Sequence, residues 1–142
     1  GSEELIDFLI NKARSFIYTT GLPPSVAAAS LQGIEIIENE RARREKLWEN
    51  ATYLNRQLKG RGFDTMATQT PIIPVLLKDA SLAVEFSKRL FENGIFVSAI
   101  RPPTVPVHTA RLRVTAMATH SREDLDCLLE KFSTAGKELC IF

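Results

Sequence analysis

A proline-rich segment flanked by arginines is the part of the chain whose residue types best suit ligand chemistry. Residues 101–113 read RPPTVPVHTARLR, with three prolines within residues 102–106. Proline fixes φ and removes N–H donors, so this segment should hold its neighbours in a set geometry. A guanidinium group matches a carboxylate with two parallel hydrogen bonds. Two hypotheses follow: Arg101 and Arg113 converge on a ligand carboxylate, or both are surface arginines in ordinary ion pairs.

The residues that follow this segment alternate between polar and apolar side chains, which predicts a strand over residues 111–117. Side chains of a strand point to opposite faces in turn. We therefore expect the arginines on a face that is open to a neighbour or a cleft. The two faces are Leu112, Val114 and Ala116 on one side, and Arg111, Arg113 and Thr115 on the other.

A second candidate for ligand binding is Thr19-Thr20-Gly21, which lies just before an expected helix N-terminus. Hydroxyl groups and the N–H groups of a helix start suit a phosphate. The alternative is that one of the threonines only caps the helix.

Signatures of other catalytic classes are missing from the sequence. It has no GxSxG, HExxH, Walker or Rossmann glycine motif. His108 and His120 have no cysteine or carboxylate at a ligand spacing, so we expect no metal site. Cys127 and Cys140 show no paired spacing and are interpreted as reduced thiols of a cytoplasmic protein.

The elements that must position these residues follow from hydrophobic spacing and turn signals. From residue 70 the order is β-α-β-β-α, which predicts an α+β fold with helices on one face of a small, mostly antiparallel three-stranded sheet. Pro74 favours an edge position for its strand. Ser121 and Asp124 are spaced as a capping box for the last helix. The expected elements are helices at 3–17 and 24–59, a strand at 72–77, a helix from Asp79 or Ser81, strands at 95–100 and 111–117, and a helix after Ser121.

The helix over residues 24–59, straight or kinked, would be unusually long. If straight, it would span about 54 Å at 1.5 Å per residue. Because this length exceeds the width of a small domain, we expect the helix to bridge two domains or two subunits.

Composition excludes several classes of protein. The chain has 142 residues and a formal charge of +1 from 18 basic and 17 acidic side chains. This balance argues against a protein that binds nucleic acid. No apolar run approaches the roughly 20 residues of a membrane span.

Four motifs occur together and in order: ARSFIYTTGLPPSVAAASL (13–31), TPIIPVLL (70–77), GIFVSAIRPPTVP (94–106) and TARLRVTAMATH (109–120). With them the sequence resembles the C-terminal part of the α-oxoamine synthases, which are pyridoxal-phosphate (PLP) enzymes of the fold-type I aminotransferase class. The resemblance covers essentially the whole chain.

The resemblance implies an acyltransferase that joins an acyl thioester to an amino acid with loss of CO₂. The best-matching kind of member uses a pimeloyl-type thioester and L-alanine in biotin synthesis. One alternative is a member that uses glycine, 2-amino-3-ketobutyrate CoA ligase. The other is a non-enzymatic α+β module whose arginine segment binds an acidic ligand or partner.

The resemblance also implies roles for individual residues. Arg113 would hold the carboxylate of the amino acid, and Arg101 would also reach it. Thr104 would line the substrate pocket. Thr19 and Thr20 would lie near the cofactor phosphate of the partner subunit, which implies a homodimer.

The family's Schiff-base lysine, in a Gly-Lys motif, is expected shortly before residue 1, and Lys12 is not a substitute for it. We therefore expect a fragment with no catalytic residue of its own and no activity by itself. The expected organisation is a remnant of the PLP-binding domain at 1–30, a connecting helix at 31–62 and an α+β domain at 63–142. His108 departs from the family, because many relatives carry glycine there.

Overall fold

The computed structural model of the protein describes residues 1–141, which form six helices and three strands. The chain divides into two compact units, residues 1–40 and residues 41–142. Among the described residues, no helix is both long enough and apolar enough to cross a bilayer. The two units are described separately.

The first unit consists of helices α1 (Glu3–Lys12), α2 (Arg14–Ile17) and α3 (Pro24–Asn39). The hydroxyl of Ser2 caps α1 by accepting a hydrogen bond from the N–H of Leu5. Helix α3 begins at Pro24, as predicted, because proline suits the first turn of a helix. None of the residues in these three helices is buried.

The single helix predicted over residues 24–59 is wrong, because the chain breaks at Glu40. Helix α3 ends at Asn39, Glu40 has φ −96° and ψ 72°, and α4 (Arg41–Gly60) follows. The break falls in a highly charged run in which no apolar stripe supports a continuous helix. Helices in proteins take most of their stability from packing of an apolar face, so this run has little to keep it helical throughout. The predicted domain boundaries remain predictions.

The second unit contains a three-stranded antiparallel sheet in the order β1-β3-β2, formed by β1 (Ile72–Lys78), β2 (Ser98–Ile100) and β3 (Ala110–Thr115). Pro74 lies in the edge strand β1, as predicted. The flanking residues Ile73 and Val75 face Val114 and Leu112 of β3.

Strand β2 is shorter than the predicted strand over 95–100. Helix α5 (Ala80–Glu92) ends in a turn in which Gly94 has φ +82°, a conformation that favours glycine. The N–H of Ile95 donates to the carbonyl of Leu90 at 2.8 Å. Residue 95 therefore completes the helix end, and pairing with β3 starts only at Ser98.

Helices α4, α5 and α6 (Arg122–Glu138) cover one face of the sheet and form the core with it. Three aromatic rings meet in this core, with Phe86 and Phe132 at 5.3 Å between centroids and Phe63 within about 6 Å of both. The predicted α+β fold is therefore confirmed. Its largest buried apolar side chains are Leu54, Leu58, Ile73, Val75, Phe86, Leu90, Leu112, Val114, Leu125, Leu129 and Phe132.

Candidate functional site

The sheet face that the helices leave open carries the arginines of β3, as the alternation predicted. Leu112 and Val114 are buried, whereas Arg113 and Thr115 are exposed. The pairing register places Ser98 of β2 and Pro74 of β1 directly opposite Arg113. Arg113 therefore lies on the central strand, between two neighbours on the same face.

The two arginines of β3 differ in their contacts. Arg111 donates from Nε to the carbonyl of Thr109 at 2.9 Å and from a terminal nitrogen to the sulfur of Met66 at 3.5 Å. The side chain of Arg113, in contrast, makes no hydrogen bond or ion pair with any of residues 1–141. Arg113 is thus the strand arginine whose guanidinium group is available to a ligand.

The proline-rich segment between β2 and β3 is organised by local hydrogen bonds. The N–H of Thr104 donates to the carbonyl of Arg101 at 3.1 Å. The hydroxyl of Thr109 donates to the carbonyl of Pro106 at 2.7 Å. His108 has φ +63°, a left-handed conformation that costs a non-glycine residue energy.

Arg101 and Thr104 are both exposed in this segment. Arg101 comes just after Ile100, which pairs with Arg111, whereas Arg113 pairs with the other end of β2. The structure therefore separates Arg101 from Arg113 along the strand. The roles of Arg101 and Thr104 remain predictions.

Arg113 borders a groove of about 650 Å³ between the segment 94–98 and the N-terminal half of α6. Ser98 and Thr115 line the same groove. Its other polar side chains include His120 and Asp124, and Phe96, Met117 and Leu128 contribute apolar surface. The groove can thus take a small ligand with an acidic group and an apolar part.

The acidic side chain in this groove is already engaged. The carboxylate of Asp124 accepts a hydrogen bond from the N–H of Ser121 at 2.9 Å, and the Ser121 hydroxyl accepts from the N–H of Asp124 at 3.1 Å. The predicted capping box is therefore confirmed. The bond from the Ser121 N–H, followed by that with its side chain, holds the pKa of Asp124 below its usual value.

Asn50 is a structural determinant of the groove that motif spacing did not predict. Its side chain is 1% exposed, and its amide donates to the carbonyls of Met117 and His120 at 2.9 and 3.0 Å. One feature of the sequence indicates a buried polar role: Asn50 lies on the apolar stripe of α4, three residues after Leu47 and four before Leu54. Asn50 fixes the turn that joins β3 to α6 and forms one wall of the groove.

Thr19 and Thr20 lie in the first unit, between α2 and α3. The hydroxyl of Thr19 donates to the carbonyl of Ser15, while Thr20 makes no hydrogen bond within the described chain. Helix α3 has no side-chain cap at its start, and Pro24 at its first position has no N–H. The Thr20 hydroxyl and the uncapped start of α3 therefore stay open to a ligand, and a phosphate role for Thr19 and Thr20 remains a prediction.

The sequence contains a single Gly-Lys dipeptide, Gly136-Lys137. Gly136 is buried and Lys137 is exposed in the last turn of α6. Lys12 is the last residue of α1. The fold therefore places this Gly-Lys pair at a helix end, away from the Arg113 groove, whose lining includes neither residue.

The structure thus combines an α+β fold with an arginine on the open sheet face whose side chain has no partner among residues 1–141. The family model of aminotransferase class I and II matches residues 1–132, so the chain belongs to this family. The chain is 48% identical over 139 residues to the 8-amino-7-oxononanoate synthase of Thermosipho melanesiensis. This match covers 98% of the chain and 36% of that protein.

Two further relatives agree with this assignment. The 8-amino-7-oxononanoate synthase/2-amino-3-ketobutyrate coenzyme A ligase of Thermus thermophilus is 48% identical, over 99% of this chain and 36% of that protein. The serine palmitoyltransferase of S. paucimobilis, solved with PLP and myriocin bound, superposes with a TM-score of 0.89 at 32% identity. That match covers 96% of this chain and 35% of the solved chain. The chain thus spans about a third of the length of its relatives and matches the α-oxoamine synthases, which depend on PLP.

Proposed function

We propose that this chain is the C-terminal part of a PLP-dependent acyltransferase that condenses a pimeloyl-type thioester with L-alanine and releases CO₂, a step of biotin synthesis. The observation that carries the proposal is the unpaired guanidinium group of Arg113 on the open sheet face. The names and identities of the relatives support the choice of reaction.

Arg113 binds the carboxylate of the amino acid in this proposal. A bidentate guanidinium–carboxylate pair fixes both the position and the plane of the carboxylate. It also fixes the orientation of the bond between Cα and the carboxyl carbon, which must break when CO₂ leaves. PLP, when bound, supplies the electron sink for this bond cleavage.

Thr19 and Thr20 hold the cofactor phosphate in this proposal, and they do so in the partner subunit of a homodimer. The Thr20 hydroxyl, which has no partner in the described chain, and the start of α3 carry the donor character that a phosphate needs. Residues 1–30 then belong to the PLP-binding domain, and residues 63–142 form the domain that presents Arg113 to the substrate.

Arg101 and Thr104 complete the substrate pocket in the proposal. Both lie in an exposed turn closed by the hydrogen bond between the Thr104 N–H and the Arg101 carbonyl. Because Arg101 lies farther along the sheet than Arg113, we assign it a weaker or later contact with the carboxylate.

The 142-residue chain by itself has no activity in this proposal. Its only Gly-Lys pair lies at the end of α6, so no lysine of this chain takes the covalent role. The chain alone, mixed with PLP, L-alanine and pimeloyl-CoA, should give no product. Turnover, together with a borohydride-trapped adduct at one lysine, would contradict this expectation.

A second candidate is the glycine-using ligase reaction, because the Thermus relative carries both names. The experiment that tests the function is a product assay on the full-length protein with PLP. We expect 8-amino-7-oxononanoate and CO₂ in equal amounts from L-alanine and the pimeloyl thioester. A higher kcat/KM with glycine and acetyl-CoA would favour the second candidate. Failure with both substrate pairs would favour the non-enzymatic module.

A further inference from the structure

The groove beside Arg113 contains a backbone amide group that the sheet leaves without a partner. In an antiparallel ladder, the N–H and C=O of one residue point to the same neighbouring strand, and successive residues alternate between neighbours. The N–H of Ala116 donates toward β1, to the carbonyl of Pro71 at 3.1 Å. The N–H and C=O of Thr115, one residue earlier, therefore point to the β2 side.

Strand β2 does not extend far enough to pair with Thr115. Its first residue, Ser98, lies opposite Arg113, so the residue opposite Thr115 would be Phe96. Phe96 precedes the strand and is 82% exposed. Within residues 1–141 no hydrogen bond reaches the N–H or the C=O of Thr115. The groove therefore holds a donor that the fold itself does not use.

Three further donors lie beside this amide. Side chains directly opposite each other on paired strands have Cβ atoms about 4.5–5.5 Å apart, which applies to Ser98 and Arg113. Thr115 is two residues from Arg113 on the same face, about 7 Å along the strand. The hydroxyls of Ser98 and Thr115 have no hydrogen-bond partner in the described chain, and all three residues line the groove.

The charges around this cluster favour an anion. Arg113 brings a full positive charge without a paired carboxylate, whereas Asp124 on the far wall is bound to the N–H of Ser121. His120 uses Nδ1 to accept from the N–H of Met117 at 3.3 Å. A planar ligand with two acceptor oxygens matches a guanidinium group on one side and an N–H with hydroxyls on the other.

We propose that Ser98, Arg113 and the backbone N–H of Thr115 form one carboxylate-binding site, in which Ser98 and Thr115 are substrate-binding residues in addition to Arg113. The inference rests on the proposed function for the identity of the ligand, which is the α-carboxylate of the amino acid. Two substrates of the proposed reaction carry a carboxylate that could bind here: the amino acid and the acyl thioester of the pimeloyl type. The experiments distinguish these two sources.

The first experiment uses steady-state kinetics of the full-length protein. Ser98→Ala should raise the KM for L-alanine about tenfold, because this is the loss of affinity expected for one hydrogen bond to a charged group. The kcat and the KM for the thioester should stay unchanged. Ser98→Thr, which keeps the hydroxyl, should restore the KM. Ser81→Ala, at an exposed serine of α5, is the matched control. A rise in the KM for the thioester instead would overturn the assignment to the amino acid.

The second experiment does not need activity. Sodium acetate is titrated into the ¹⁵N-labelled 142-residue chain, and the amide resonance of Thr115 is followed by NMR. We expect a saturable downfield shift of this resonance. Arg113→Ala should raise the dissociation constant for acetate, obtained from this titration, at least fivefold. Thr115→Val removes the hydroxyl but keeps the N–H, so the shift at residue 115 should persist. Thr52→Val is the matched control on α4.

These outcomes separate this inference from the function it rests on. Acetate binding at Thr115 in a protein without activity toward alanine would leave the site standing and overturn the proposed function. An active enzyme that loses alanine use with Arg113→Ala, but shows no effect of Ser98→Ala and no shift at Thr115, would overturn the site and leave the function.

Discussion

The position of Arg113 is set by the sheet before any ligand binds. The residue lies on the central strand, with Ser98 and Pro74 opposite it, and the neighbouring Leu112 and Val114 are buried in the core. A binding group whose position is already fixed loses less conformational entropy when a ligand arrives. This residue therefore suits the recognition of a carboxylate better than an arginine on a free loop.

Replacement of Arg113 tests its role in the full-length protein. Because hydrogen bonds to charged groups contribute about 1.5–3 kcal/mol, Arg113→Ala should lower kcat/KM for L-alanine about 10- to 150-fold. Cofactor binding, followed by absorbance during PLP titration, should stay near the wild-type level. Arg113→Lys should restore only part of the loss, since an ammonium group lacks the planar fork.

Arg101→Ala is the comparison for this prediction, and it should lower kcat/KM for L-alanine less than Arg113→Ala does. Arg56→Ala, at an exposed arginine of α4, is the control for the loss of a surface charge. A wild-type kcat/KM for alanine in Arg113→Ala would show that Arg113 is an ordinary surface residue.

Asn50 offers a stability test at the same scale. Asn50→Ala should lower the free energy of unfolding by about 2 kcal/mol, because the carbonyls of Met117 and His120 lose a buried donor. Urea denaturation of the 142-residue chain measures the change. Asn93→Ala removes a similar amide-to-carbonyl bond at an exposed helix end, so it should cost under about 0.5 kcal/mol. Equal effects of the two substitutions would contradict the role assigned to Asn50.

At the scale of elements, helix α6 depends on its capping box, and this makes its stability sensitive to acid. The folded pKa of Asp124 lies below its ordinary value, so the folded state binds the proton less tightly than the unfolded state. The stabilising contribution is fully present above the unfolded value, about 3.9, and is lost as the pH falls through the folded value.

We therefore expect Asp124→Asn to lower the Tm at pH 7 and to flatten the fall in Tm below about pH 4. Thermal denaturation of the chain between pH 7 and pH 2.5, followed by circular dichroism, measures both effects. Glu130→Gln on the exposed face of α6 is the control and should leave the curve unchanged. An identical acid dependence of wild type and Asp124→Asn would rule out this contribution of the capping box.

At the scale of the whole molecule, the two units differ in whether they bury a core. The unit from residue 41 onward encloses the sheet and three helices in one apolar core. The first unit exposes a series of large apolar side chains, each between 43% and 62% exposed: Leu5, Ile6, Phe8, Leu9, Ile10, Phe16 and Ile17. Such surfaces tend to associate with other apolar surfaces.

We expect the 142-residue chain to form dimers or larger species, or to lose order over residues 1–30. Residues 41–142 alone should remain monomeric, because they keep the core and lose the exposed helices. Light scattering coupled to size exclusion distinguishes these cases. A strictly monomeric 142-residue chain with residues 1–30 protected from hydrogen exchange would contradict the expectation.

Local sequence patterns determined most of the fold and the identity of the main candidate residue. Alternation in β3, the spacing of Ser121 and Asp124, and the edge preference of Pro74 act over a few residues, so they are readable from the sequence and were confirmed. The resemblance in motifs was likewise sufficient to indicate the family, which the family match confirmed.

Tertiary structure decided the features that depend on distant contacts or on competition between neighbouring elements. The helix break at Glu40 and the late start of β2 depend on which segments find a packing surface. The hydrogen bonds of the Asn50 side chain join residues about 70 positions apart. The amide of Thr115 is unpaired because β2 begins only at Ser98, two residues after the position opposite Thr115. Spacing in the sequence does not specify such registers, because they follow from how the strands pair across the sheet.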